Sequence, residues 1–123
     1  MTLPGALPTV DVHEAFRRLR DDSDRPLLLD VREQNEFDAV RAPGAALLPT
    51  SQFMARFAEL PSDRPLLVIC HTGGRSAAVT AYLLRTGRTD VANVAGGMAA
   101  WERAGLAVQR GRPGPAEGDL PTG

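Results

Sequence analysis

The chain has 123 residues, of which 43% are hydrophobic and 24% are charged, as is typical of one soluble globular domain. A formal net charge of −1, with no basic cluster, argues against nucleic acid as a partner. The longest purely apolar run, residues 66–70, is far shorter than the roughly 20 residues that cross a bilayer, so no membrane partner is expected.

The cysteine usage and the N-terminus both favour a reducing, cytoplasmic setting. Cys70 is the single cysteine, so no internal disulfide can form, and one cysteine with two histidines makes a poor zinc site. Residues 1–8 contain two prolines and no basic residue, unlike a secretory signal. We expect no metal and no organic cofactor.

Residues 9–31 predict a strand, a helix and a second strand. A lead-in of residues 1–9 runs into a short strand near 9–10. Asp11, followed three residues later by Glu14, is typical of a capping box, and apolar residues at helical spacing continue to about Arg20. The apolar run 27–31 is typical of a parallel strand that is covered on both faces.

Residues 33–69 continue this alternation. A short polar helix at 33–39 precedes a strand at 45–48, and Thr50 or Ser51 is expected to cap the next helix. The apolar strand 66–69 then leads into Cys70.

The remaining residues complete an α/β pattern. A helix from near Ser76 to Gly87, a strand at 91–94 and a helix opened by Gly96-Gly97 follow in order. This alternation predicts a central parallel β-sheet flanked by helices in three layers, over residues 10–110. Seven of the last thirteen residues are Gly or Pro, so residues 111–123 are expected to form a disordered tail. Deletion of residues 112–123 is expected to leave the melting temperature nearly unchanged.

Cys70 stands where a strand passes through a tight loop into a helix. This geometry aims backbone N–H groups at one point, and together with the helix dipole it favours the thiolate, the reactive form of cysteine. Gly73 and Gly74 are expected to permit a positive φ and to keep side chains out of the loop. The candidate ligand contacts around Cys70 are His71, Thr72, Gly73, Gly74, the positively charged Arg75, and Ser76 as helix cap.

Ordinary structural roles compete with these interpretations. A cysteine after an apolar strand is usually a small buried hydrophobe, and the following His-Thr-Gly-Gly-Arg-Ser segment is what reverses that balance for Cys70. His71 alone is more often a loop histidine than a general base. We interpret Gly96-Gly97 as a helix start, Trp101 as a core residue, and Asp30 as an orienting partner for nearby donors.

The ordered motifs resemble the rhodanese (sulfurtransferase) family over about residues 10–108. They are Leu28-Leu29-Asp30-Val31-Arg32-Glu33 with Glu36-Phe37, Pro43-Gly44-Ala45, Cys70-His71-Thr72-Gly73-Gly74-Arg75-Ser76, Val94-Ala95-Gly96-Gly97-Met98 with Trp101, and Ala104-Gly105-Leu106. The resemblance implies a three-layer rhodanese-like fold. It makes Cys70 the nucleophile that carries sulfane sulfur as a persulfide, held by the N–H groups of the loop from Cys70 to Arg75.

The resemblance also assigns Asp30, Arg32 and Glu36 to structural support near the site. One segment departs from the family pattern, because Val40-Arg41-Ala42 stands where Gly-His-Ile is usual. We expect Arg41 to add charge near the site instead.

Several functions remain open at this stage. Phosphatases and arsenate reductases of this fold place five residues between cysteine and arginine, whereas four separate Cys70 from Arg75, which favours sulfur transfer. Thiosulfate is the default donor, because His71 and Arg75 offer polarity and charge to an anion, and glutathione persulfide and protein persulfides are the alternative donors. Cyanide, a thiol or a protein thiol is the acceptor, since no second cysteine resolves the persulfide. The alternatives are a non-catalytic rhodanese-like binding or regulatory module and a persulfide carrier in a sulfur relay.

Overall fold

The computed structural model describes residues 7–121, so most of the expected lead-in lies outside the described residues. Within these residues, five strands form one sheet: β1 (Thr9–Val10), β2 (Leu27–Asp30), β3 (Ala46–Leu47), β4 (Leu66–Ile69) and β5 (Val91–Val94). All pair in parallel, in the order β1-β5-β4-β2-β3. The strand that ends at the cysteine therefore lies at the centre of the sheet.

The described part of the chain contains five α-helices: α1 (Val12–Asp21), α2 (Gln34–Ala39), α3 (Thr50–Arg56), α4 (Gly74–Arg85) and α5 (Gly97–Arg103). Helices α1 to α4 connect successive strands, and α5 follows β5. A 3₁₀ turn at Phe57–Glu59 follows α3. Within residues 7–121, no helix is both long and apolar enough to span a bilayer.

The side chains of the sheet alternate between two buried clusters, as the pleat of a strand requires. Leu28, Leu67 and Ile69 pack on the face covered by α1, α2 and α5. Val68 and Cys70 pack on the face covered by α3 and α4. The predicted three-layer α/β architecture is confirmed, and it places the cysteine on the α3–α4 side.

The helix starts agree with the sequence in one case and differ in two. The Asp11 carboxylate accepts from the Glu14 N–H at 2.8 Å, as predicted for α1, but the Glu14 carboxylate pairs with Arg17 instead of completing a capping box. The N-cap of α3 is Pro49 rather than Thr50 or Ser51. The carboxylate of Glu33, 18 residues earlier, accepts from the Ser51 N–H at 3.2 Å instead. Helix α4 begins at Gly74, so Ser76 lies inside it.

The C-terminal segment differs from the expected disordered tail, because residues 111–121 pack against the domain. The Gly118 carbonyl accepts from the Leu47 N–H at 2.7 Å, next to the edge strand β3. Leu120 packs against the cluster on the α3–α4 side. A high glycine and proline content therefore did not prevent packing, since the domain offers both a free strand edge and a buried partner.

That buried partner is Arg41, whose side chain is only 4% exposed. Its guanidinium forms an ion pair with Glu117 and donates to the Gly111 carbonyl at 2.6 Å. It also donates to the Phe37 carbonyl at 3.3 Å. The expectation that Arg41 adds charge near the site is wrong, because its donors are committed to α2 and to the C-terminal segment.

Candidate active site

Cys70 follows β4 directly, and three loop residues separate it from the first residue of α4. The short connection folds the start of the helix back over the sulfur. Cys70 Sγ accepts from the Gly73 N–H at 3.1 Å and lies 3.2 Å from Ser76 Oγ. The residue is 1% exposed, so the sulfur is recessed within the loop.

The environment of Cys70 acts on its pKa in two opposing directions. Burial of the sulfur acts to raise the pKa. Hydrogen bonds from the Ser76 hydroxyl and from the N–H groups of Ser76, Gly73 and Thr72 outweigh burial and hold the pKa below its ordinary value of 9.0. The site therefore favours the thiolate, the form that acts as a nucleophile.

Ser76 can adjust to the charge of the sulfur. Its hydroxyl lies 3.1 Å from the Gly73 carbonyl as well as 3.2 Å from Cys70 Sγ. A hydroxyl has one proton, so it donates to only one of these acceptors at a time. When Cys70 is a thiolate the proton points to the sulfur, and when Cys70 is protonated the thiol can donate to Ser76 Oγ instead.

Of the two loop glycines, only Gly73 requires glycine geometry. Its φ is +112°, in the left-handed region, and a Cβ there would lie 3.4 Å from the backbone nitrogen of Gly96. Gly74 has no positive φ, and a Cβ on it would meet nothing within 4 Å. The sequence-based prediction of a positive φ is confirmed at Gly73 and does not apply to Gly74.

Arg75 forms a bidentate ion pair with Glu36 on α2. Nη1 donates to Oε1 at 2.7 Å and Nη2 to Oε2 at 2.8 Å. Hydrogen bonds from Arg75 lower the pKa of Glu36 to about 2, against a smaller opposing effect of burial. The Glu33 N–H also donates to Glu36 Oε1 at 3.0 Å. The positive charge expected beside the cysteine is thus fixed and largely neutralised by α2.

Asp30 and Arg32 form a buried pair beneath α2. Arg32 Nη2 donates to Asp30 Oδ2 at 2.8 Å, and both side chains are at most 2% exposed. The same guanidinium donates to the carbonyls of Val40 at 2.6 Å and Glu36 at 3.3 Å. This geometry fits the interpretation of Asp30 as an orienting partner, and it fixes the turn that presents Glu36 to Arg75.

His71 and Thr72 are both exposed at the outer side of the loop. Neither side chain hydrogen-bonds to any residue within 7–121. They are therefore free to meet a molecule that approaches the loop. Within the same range, no cluster of three or more His, Cys, Asp or Glu residues could hold a metal ion.

The start of α5 supports the loop in a way that sequence reasoning missed. The Met98 N–H donates to the Cys70 carbonyl at 2.8 Å, and the Ala99 N–H donates to the His71 carbonyl at 2.9 Å. A Cβ on Gly97 would lie 2.5 Å from each of those two carbonyl oxygens. The Gly-Gly pair after β5 was the available signal, since two glycines at a helix start permit a close backbone approach.

Comparison with known proteins identifies the domain. Residues 12–104 match the family model for a rhodanese-like domain, which spans most of the chain. The chain belongs to the rhodanese-like domain family. This rhodanese-like chain is 36% identical over 99 residues to a sulfurtransferase of Allochromatium vinosum, covering 80% of the chain and 92% of that protein.

Two larger proteins contain a matching domain. A probable adenylyltransferase/sulfurtransferase, MoeZ of Mycobacterium tuberculosis, is 41% identical over 92 residues, covering 71% of this chain and 24% of MoeZ. The crystal structure of thiosulfate sulfurtransferase from Pseudomonas aeruginosa matches with a TM-score of 0.76 and 28% identity, covering 86% of this chain and 21% of that one. The family and these relatives together support sulfur transfer in general.

Proposed function

We propose that this rhodanese-like chain is a sulfurtransferase that carries a sulfane sulfur as a persulfide on Cys70. The observation that carries the proposal is the position of Cys70 Sγ, within hydrogen-bond distance of the Gly73 N–H and the Ser76 hydroxyl at the start of α4. This arrangement stabilises negative charge on sulfur. A reactive single thiol fits a reducing, cytoplasmic location.

The transfer has two steps, each a displacement at sulfur. The Cys70 thiolate attacks the sulfane sulfur of thiosulfate, so a new S–S bond forms, the donor's S–S bond breaks and sulfite leaves with the electron pair. A nucleophilic acceptor such as cyanide then attacks the terminal sulfur. The persulfide bond breaks, thiocyanate leaves, and the Cys70 thiolate is restored.

The loop geometry favours a small donor. Cys70 is 1% exposed, so only a compact group reaches its sulfur, and the exposed His71 and Thr72 stand at the outer side of the loop. Thiosulfate is compact and anionic, and the structurally similar protein from Pseudomonas aeruginosa is named a thiosulfate sulfurtransferase. We therefore take thiosulfate as the donor and cyanide or a thiol as the acceptor.

A persulfide carrier in a sulfur relay is the second candidate. It is favoured by the single cysteine, which leaves a persulfide to be resolved by a thiol from outside the chain. The name of MoeZ joins an adenylyltransferase to a sulfurtransferase in one protein. A purely non-catalytic module is disfavoured, because such a module has no need to hold a thiol among donors that lower its pKa.

Intact-mass analysis tests the proposal. Incubation with thiosulfate should add the mass of one sulfur atom to the protein, and cyanide should remove it and release thiocyanate in equal amount. The matched control is Cys70→Ser, which should gain no mass. Loading by a low-molecular-weight persulfide but not by thiosulfate would favour the relay carrier, and no adduct with either donor would overturn the proposal.

A further inference from the structure

A mostly apolar groove lies between α3 and α4 and reaches the cysteine loop. It has a volume of roughly 310 Å³. Its lining includes Phe53, Met54, Ala78 and Tyr82, with Arg75 at the loop end and Arg85 at the far end. We refer to it as the α3–α4 groove. Since Arg75 lies in the first turn of α4, next to Ser76, which contacts the Cys70 sulfur, the groove begins beside the candidate active site.

The walls of the α3–α4 groove combine rigid and adaptable apolar groups. Phe53 and Tyr82 meet edge to face with ring centroids 5.9 Å apart, and Phe57 contacts both rings. Met54 is 64% exposed, although it is a large hydrophobic side chain. An exposed methionine next to packed aromatic rings is typical of a surface that adapts to apolar side chains of a partner.

The charges at the two ends of the groove differ. Arg75 is neutralised by Glu36 at 2.7 Å. The exposed guanidinium of Arg85 stacks over the Tyr82 ring at 5.8 Å and has no carboxylate partner within residues 7–121. Arg56, which lies on α3, is paired with Glu59 at 2.9 Å. The far end of the groove therefore offers one uncompensated positive charge to a ligand.

We infer that the α3–α4 groove binds an extended polypeptide acceptor with a cysteine at the loop, apolar side chains along the groove and a carboxylate at Arg85. This inference rests on the proposed function. The terminal sulfur of a persulfide stands about 2 Å beyond Sγ, which brings it nearer to an acceptor than the recessed cysteine itself. The acceptor thiol first loses its proton to solvent, and its thiolate attacks that sulfur. A new S–S bond forms on the acceptor, the Cys70 persulfide bond breaks, and the electron pair returns to Cys70 as the thiolate.

The length of the groove fixes the spacing of the acceptor. Arg75 and Arg85 are ten residues apart on α4, which is about 15 Å along the helix. An extended peptide rises about 3.3 Å per residue, so roughly four or five residues span this distance. The acidic side chain should therefore lie four or five positions from the acceptor cysteine.

Short synthetic peptides test the inference directly. Cys70 is loaded with thiosulfate, and the acceptors are the blocked peptides Cys-Gly-Leu-Leu-Asp and its reversed order, each with a matched peptide that carries Lys in place of Asp. The readout is kcat/KM for the peptide divided by kcat/KM for cyanide. In the better of the two orders, the Asp peptide should exceed the Lys peptide by about threefold to tenfold, as expected for one exposed charge pair.

Two variants and one control locate the effect in the groove. Arg85→Glu should reverse the preference between the Asp and Lys peptides, and Met54→Ala should lower the ratio to cyanide for both. Arg103→Glu makes the same charge change at an exposed site on α5, across the sheet, and should leave the preference as it is. Equal effects of Arg85→Glu and Arg103→Glu would overturn the inference.

The remaining outcomes separate this inference from the proposed function. If Cys70 loads and cyanide is turned over but the four peptides react alike, the inference alone is overturned. If Cys70 does not load, both fail. A second copy of the chain is another candidate occupant of the groove, and sedimentation measurements over a range of protein concentrations test for it. If the protein forms a dimer that Met54→Ala dissociates, the groove is a dimer interface and the inference is overturned.

Discussion

Helices α4 and α5 begin in nearly the same way but turn their N–H groups toward different partners. Each follows a parallel strand and has a glycine N-cap in the left-handed conformation, Gly73 with φ +112° and Gly96 with φ +78°. The cap of α4 donates its N–H to the Cys70 sulfur, whereas the first turn of α5 donates to the carbonyls of Cys70 and His71. One helix start stabilises a reactive atom and the other holds the loop that carries it.

This comparison shows that a glycine-bearing helix start is not by itself a functional site. The N–H groups are equivalent, and the group placed opposite decides the role. Opposite α4 lies a sulfur that can carry charge and form bonds. Opposite α5 lie peptide oxygens of the chain itself. Substitutions at the two helix starts should therefore have different effects on sulfur transfer and on stability.

Replacing the Cys70 thiol, which faces the start of α4, should abolish sulfur transfer without unfolding the protein. In Cys70→Ser the hydroxyl is a far weaker nucleophile, so thiocyanate formation should fall below detection. Serine is close in size, so the melting temperature should change little. Thiocyanate release and a thermal melt measure the two effects, and residual transfer above that of the buffer would contradict the role of Cys70.

A side chain at the start of α5 should damage stability and activity together. In Gly97→Ala the new Cβ would lie 2.5 Å from two carbonyl oxygens, so α5 must shift and lose its bonds to the loop. We expect about 3 kcal/mol of lost stability. Urea denaturation measures this loss, and sulfur loading of Cys70 should fall in the same variant. Full stability of Gly97→Ala would contradict a supporting role of α5 for the cysteine loop.

A side chain at the cap of α4 should reduce activity more than stability. Gly73→Val forces a β-branched residue into a left-handed conformation, at a cost of about 1–3 kcal/mol, and displaces an N–H that contacts the sulfur. Turnover should fall at least about tenfold, given the loss of one charge-stabilising donor. The matched control is Gly74→Ala, which should stay within about 0.5 kcal/mol of the parent stability. Equal losses of stability and activity in Gly73→Val would make Gly73 a structural residue only.

Removing the Ser76 hydroxyl should shift the pH dependence of Cys70 alkylation to higher pH. Hydrogen bonds from Ser76 help hold the Cys70 pKa below its ordinary value against the opposing effect of burial, so Ser76→Ala should raise that pKa. The thiolate is then less populated at neutral pH and regained as pH rises. The rate of alkylation by iodoacetamide against pH measures the shift, and an unmoved profile would assign the lowered pKa to the backbone donors alone.

The sequence predicted those features that local patterns determine. Apolar runs indicated the central strands, and the Cys70 segment indicated the strand–loop–helix geometry of the site. Contacts between distant segments were not predicted. Glu33 hydrogen-bonds to Ser51 at the start of α3, and Met98 donates to Cys70 across 28 positions. Such contacts depend on how elements pack, which hydrophobic spacing and capping motifs do not encode.

The C-terminal segment has a consequence for where the folding unit ends. The family match stops at residue 104, yet Glu117 and the Gly111 carbonyl satisfy the buried guanidinium of Arg41. A shortened chain that ends at residue 110 would keep every family motif but leave that cation without its carboxylate, in a place where water reaches it poorly. The residues that match the family model thus end before the residues that satisfy the buried charge of Arg41, so a stable shortened chain is expected to extend through Glu117.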